Sequence, residues 1–171
     1  ASVLAGNQRG FAKAIRDSGI PREDLYICGS VLSNRAAGFG AAKALSAKGC
    51  AENLQAFSTG GITYVDQIML DYPGPDQASI LGQWEALQDM HAAGQAKSLS
   101  VSNFSPTQLD YILTSKDSAV NPVVNQLPYS VAYHPGKGVK DNGERGILVQ
   151  AWAPLGGSLG DRFSSSLKEV C

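Results

Sequence analysis

Polar residues capable of hydrogen bonding and proton transfer sit just past the apolar runs of this chain. Ser102 and Asn103 follow Ser98-Leu99-Ser100-Val101, Gln126 ends Pro122-Val123-Val124-Asn125-Gln126, and Trp152 ends Ile147 to Ala151. Asp71, with Tyr72, follows Ile62 to Leu70. Hydroxyl and carboxamide groups can grip a polar ligand, an indole can stack on a flat ring, and a carboxyl can hold or release a proton. Each also has a plain structural reading. Asn103 and Gln126 could satisfy buried backbone groups, Trp152 could fill core, and Asp71 reads most simply as a turn or cap residue at a strand end. His91 lies on an apolar helix face, where packing outweighs catalysis. Tyr72, Tyr129 and His134 are weak candidates for a proton donor.

The elements that must position these residues alternate. Gly6 to Ser18 patterns as a helix with Phe11, Ala14, Ile15 and Ser18 on one side; Gly19 suits its C-cap and Pro21 blocks continuation. Leu25 to Cys28 reads as a buried strand. Ala41 to Ser58 predicts a helix anchored by Leu45, Leu54 and Phe57, ended by Gly60-Gly61. Ser79 to Ala93 is the clearest helix, with Ile80, Trp84, Leu87 and His91 at helical spacing and Leu81 and Met90 widening the stripe. Ser105-Pro106-Thr107-Gln108 is a capping box with proline in the first turn. The stretch up to Gly146 reads as polar, Gly-rich connection, and the tail from Gly156 as Gly- and Ser-rich with a short amphiphilic end. Short strands alternating with helices predict parallel pairing. Gly38-Phe39-Gly40 lacks the third glycine of a dinucleotide fingerprint and reads as a flexible turn, so a barrel is preferred to a doubly wound sheet.

Bulk properties narrow the field. The 171 residues suffice for one domain, 1–171 without internal boundary, and 43% hydrophobic content supports a packed core. A net charge of -1 gives no basic field for nucleic acid. No run approaches the roughly 20 apolar residues of a membrane-spanning helix. No signal peptide is expected, and the missing initiator Met leaves room for a native start upstream. Cys28, Cys50 and Cys171 share no short spacing, which argues against a disulfide framework or a metal site. Reduced, mostly buried thiols fit cytoplasm or an organelle stroma such as a plastid's. The sequon Asn103-Phe104-Ser105 is discounted, because Pro106 follows it and the context reads as intracellular.

Several segments in register resemble the aldo-keto reductase family. Leu99-Ser100-Val101-Ser102-Asn103-Phe104 is similar to its "GVSNF" segment, and Trp84-Glu85-Ala86-Leu87 through Gly94-Gln95-Ala96-Lys97 to the helix before it. Pro122 to Gln126 resembles its "PxxNQ" strand, and Ala151-Trp152-Ala153-Pro154-Leu155-Gly156 its "A-[YW]-x-P-L-G" strand end. Gly6-Asn7-Gln8 and Pro21-Arg22-Glu23-Asp24-Leu25 resemble its "GNE" and "RExL" segments. The resemblance implies an α/β fold, a (β/α)8 barrel of about 250 residues, of which this chain is a part running from the end of the second strand through the seventh.

It also implies NADPH-dependent reduction of a small carbonyl substrate. Ser102, Asn103 and Gln126 match positions that hold the nicotinamide carboxamide, Trp152 the ring-stacking aromatic, and Pro154, Leu155 and Gly156 a segment near the pyrophosphate. The proton machinery is different. The family's Tyr, Lys and His positions fall on Ala5, Ser30 and Asp71. The expectation is therefore a catalytically impaired, NADP(H)-binding relative. The rival expectations are an accessory subunit, with a protein partner in a larger membrane or organellar assembly, and a nucleotide-sensing module. No metal is expected.

Overall fold

A computed structural model describes residues 5–130, 133–134 and 136–154. Five strands form one parallel sheet in sequence order: β1 Cys28–Leu32, β2 Val65–Asp71, β3 Ala96–Ser102, β4 Val124–Pro128 and β5 Leu148–Trp152. Helix α1, Gln8–Ser18, precedes them; α2 Phe39–Ser58, α3 Gln77–Ala92, α4 Pro106–Leu113 and α5 Gly138–Gly143 connect them. The expected partial α/β barrel is what the chain forms, with parallel strands joined through helices. Among the described residues no helix is long and apolar enough to cross a membrane.

Alternation along the strands separates two faces. Val31, Ile68, Leu70, Leu99 and Val101 turn toward the helices and join Ile80, Trp84 and Leu87 in the core. Trp84 is 1% exposed, and its indole donates to the Val120 carbonyl at 3.0 Å. Helix α2 packs along α3 closely enough that a Cβ on Gly82 would collide with the Phe39 carbonyl. Cys50 is buried there, and burial pushes its thiol up to about 12. Cys28 is half-buried; Cys171 lies outside the described residues.

Local signals hold at most helix ends. Gly19 and Gly94 are left-handed, at φ 67° and 71°. The Ser105 capping box forms, with the Gln108 side chain accepting from the Ser105 amide at 2.9 Å. Other expectations need correction. The first strand starts at Cys28 rather than Leu25, because a 3-10 turn at Arg22–Asp24 delays pairing and Leu25 only leads into the sheet. The fourth starts at Val124 rather than Pro122. On α1 the buried residue is Ala12, packed against Gly60, whereas Phe11 is 39% exposed and meets Phe57 only edge-on. Leu45 is also exposed; small residues Ala42, Ser46, Cys50 and Ala56 bury α2 instead, which lets the helices approach. Phe39 and Gly40 open α2 after Gly38 at φ 82°, so that segment is a helix start. Helix α5 was not expected.

Asp66 ties the opposite, N-terminal end of the sheet together. Its carboxylate accepts from the Ile27 amide at 2.9 Å and pairs with Arg22 at 2.7 Å and Lys97 at 3.1 Å, and both cations lie over the Tyr64 ring. Burial raises the carboxyl's pKa, but the Ile27 amide, Arg22 and Lys97 together hold it below the ordinary value. Asp66→Ala is expected to cost about 3 kcal/mol by leaving a part-buried guanidinium unpaired, and Lys97→Met far less because that ammonium is exposed. The Asp66 contribution should be present above pH 3.8 and fade as pH falls through the lower folded value. Urea unfolding of both variants across acidic pH checks the ranking and the sign.

Candidate functional site at the strand ends

Parallel register sets Leu32, Asp71, Ser102, Gln126 and Gln150 side by side on the face away from the helices. Trp152 lies one step further along β5, opposite Pro128. These are C-terminal strand ends, where barrel sites are built. The backbone turns sharply there. Tyr72, Asn103 and Ala153 are the only non-glycine residues with positive φ among those described, at 69°, 62° and 50°, and each follows the end of a strand. Such conformations are costly for residues with a Cβ and cluster where geometry serves a site.

Asn103 is the hub. Its amide donates to the Gln126 carbonyl at 2.9 Å, its Nδ2 donates to Ser102 Oγ at 2.7 Å, and its Oδ1 accepts from Trp152 Nε1 at 3.1 Å. Gln126 Nε2 donates to Gln150 Oε1 at 2.9 Å. Ser102, Asn103, Gln126 and Trp152, singled out in the sequence as one group, are therefore brought together. Pro154 follows on the exposed side; Leu155 and Gly156 lie outside the described residues.

The positions expected from the resemblance to serve proton transfer are more scattered. Asp71 is 7% exposed and ends β2 within the row. Burial raises its pKa, partly offset by a hydrogen bond from the Ser102 side chain. Asp71 is thus neither a turn nor a cap residue; Asp76 caps α3, accepting from the Ser79 amide at 2.8 Å. Ser30 is in mid-strand on the same face, 1% exposed, its hydroxyl without a partner. Ala5 lies in an exposed turn before α1. His91 donates from Nδ1 to the Ala96 carbonyl at 2.8 Å, as a packing residue would. Tyr129 and His134 stack on each other, centroids 5.6 Å apart, past β4. Tyr72 is 46% exposed beside Ser33, Arg35 and Pro75.

Sequence reasoning missed Asn125. It is fully buried, grips the Phe104 backbone through its Oδ1 at 3.3 Å and Nδ2 at 2.9 Å, and meets Asn142 of α5 at 3.0 Å. It braces the turn that carries Asn103. An asparagine inside an apolar strand was the available signal.

The profile of the Aldo/keto reductase family matches residues 4–169. The chain belongs to this family. It is 31% identical over 158 residues to glyoxal reductase of Bacillus subtilis, covering 90% of this chain and 51% of that protein. Morphine 6-dehydrogenase of Pseudomonas putida is 27% identical over 155 residues, covering 91% of this chain and 49% of that one. The chain thus spans about half the length of the curated relatives it matches. A crystallographic aldo/keto reductase from Brucella melitensis superposes with TM-score 0.79 at 28% identity, over 98% of this chain and 62% of that one. An aldo-keto reductase of Bombyx mori, solved with NADP, superposes with TM-score 0.72 at 24% identity, over 91% of this chain and 51% of that one.

The buried Asp71 carboxyl should weaken the fold of this aldo/keto reductase relative at neutral pH. Its raised pKa means its contribution is most favourable below 3.8 and is lost as pH rises through the folded value. Asp71→Asn is therefore expected to be more stable than the native chain, by a margin that is small at acidic pH and grows upward. Urea midpoints of both proteins as a function of pH test this.

Proposed function

We propose that this chain binds the nicotinamide end of NADP(H) through Ser102, Asn103, Gln126 and Trp152, and that its capacity for carbonyl reduction is impaired. The observation that carries the first half is the Asn103 hub, which sets two carboxamides, a hydroxyl and an indole on adjoining strand ends. A primary carboxamide ligand needs a donor for its oxygen and acceptors for its amine. Asn103 keeps a second Nδ2 proton beyond the one given to Ser102, and Gln126 keeps its Oε1 beyond the amine given to Gln150. That donor set fits the group. Trp152, 38% exposed, offers a ring face. The NADP complex of the Bombyx mori structure and membership of the Aldo/keto reductase family support the same cofactor.

The second half rests on proton supply. NADPH, when bound, supplies hydride; an alkoxide formed from a carbonyl then needs a proton and stabilising donors. At the matching positions Ala5 carries no acidic proton, the neutral Ser30 hydroxyl cannot lower a neighbour's pKa as an ammonium would, and an ionised Asp71 repels a forming oxyanion. Each missing donor of this kind costs about 2.7–4 kcal/mol in the transition state. Losing several leaves reduction of a small carbonyl slower by many orders of magnitude.

Titrating the full-length protein with NADPH while following tryptophan emission tests both halves. Trp152 should be quenched, Trp84 should serve as a buried reference, and Trp152→Phe should remove most of the response. Adding small aldehydes or ketones should not accelerate NADPH oxidation. Carbonyl-dependent turnover would refute impairment; silence toward NADPH would refute the cofactor assignment, and co-purification in a large complex would then point to a subunit role.

A further inference from the structure

One series of side-chain hydrogen bonds at the strand ends runs from β5 toward β2. An indole N–H can only donate, so Trp152 Nε1 fixes Oδ1 as the Asn103 atom facing it, at 3.1 Å. The Asn103 amine is thereby turned to Ser102 Oγ, at 2.7 Å, and Ser102 is left accepting. That leaves the Ser102 proton free for Asp71, its register partner across the β2–β3 pairing, whose carboxyl pKa Ser102 holds down. From Trp152 onward each donor points toward β2, and the series ends beside a group that accepts. An ionised carboxylate accepts at both oxygens and donates nothing.

Asp71 enters none of the ion pairs among the described residues. Arg35, on the loop after β1, is exposed and lines a cavity of about 390 Å³ with Tyr72 and Pro75, where water screens its field. Ser30, one layer below on the same face, is neutral. With Asp71 ionised, the pole beside Ser102 and Asn103 is negative.

We propose that Asp71 makes this site select by charge, favouring the oxidised, positively charged nicotinamide ring of NADP+ over the neutral ring of NADPH. The inference rests on the cofactor reading above and adds the preferred form. Groups that hold a carboxamide grip both forms alike, since that substituent is common to both. A carboxylate in the same row distinguishes them, because a unit charge on the ring interacts with it directly and a neutral ring does not. Even for charges about 12 Å apart at an effective dielectric near 20, the difference amounts to about tenfold in affinity. The stability Asp71 forfeits by being buried is the counterpart of that preference.

The test is the ratio of two dissociation constants, measured by calorimetry or Trp152 emission on the full-length chain with NADP+ and with NADPH. The native protein should bind NADP+ about tenfold more tightly. Asp71→Asn, which keeps the shape and an acceptor for Ser102, should bring the ratio close to one. A purely structural role for Asp71 would shift both constants together and leave their ratio alone. Equal affinities in the native protein, tighter NADPH, or a ratio unchanged in Asp71→Asn would each overturn the proposal while leaving the cofactor reading intact. Binding of neither form would overturn both. The native ratio decides the matter even if the variant folds poorly.

Discussion

The parallel ladder from β1 to β4 aligns Leu32, Asp71, Ser102 and Gln126 in one row, and this lateral alignment is what the candidate site depends on. A strand slipped by one residue would exchange its two faces. Slippage of β3 would bury Ser102 among the helices and turn Val101 to the site. The register is held from both ends. Asp66 anchors β2 to the Ile27 amide at one end, and the turns past β2 and β3 donate to the neighbouring strands at the other, Tyr72 to the Ser102 carbonyl and Asn103 to the Gln126 carbonyl. Left-handed backbone at these turns is the conformational cost of keeping the row intact.

The serines of β3 fill the interior economically. Ser98 donates to the Asp66 carbonyl at 2.7 Å and Ser100 to the Ile68 carbonyl at 3.3 Å. Their hydroxyls are absorbed by the β2 backbone, which leaves Ser102 as the member of the series that turns to other side chains. Ser30 contrasts with them. Its hydroxyl is buried and finds no hydrogen-bond partner among the described residues.

Local chemistry was legible wherever a short motif encloses its own physics. The Ser105 capping box, Gly19, Gly94 and the stripe of Ile80, Trp84, Leu87 and Met90 depend on neighbours a few residues away, and all take their expected places. What escaped depends on distant partners. Helix α5 has glycine at both ends and low intrinsic helicity; Asn142 steadies it by reaching Asn125 of β4, a contact no window of sequence contains. Leu45 looked like an anchor because it is large, yet α2 lies so close to α3 that its small residues face inward. The grouping of Ser102, Asn103, Gln126 and Trp152 was legible through resemblance. Their mutual hydrogen bonds, and the inclusion of Asp71 among them, required the register.

Cys50 gives the α2–α3 seam a chemical memory. A sulfhydryl whose pKa stands at about 12 is almost wholly protonated in neutral water, and only the deprotonated form attacks electrophiles or peroxides. While the helices stay closed, that sulfur is silent. Once they part, it recovers ordinary acidity within the time of the opening. Alkylation at this one atom therefore clocks how often the outer layer lifts away from the sheet, independently of anything bound at the strand ends.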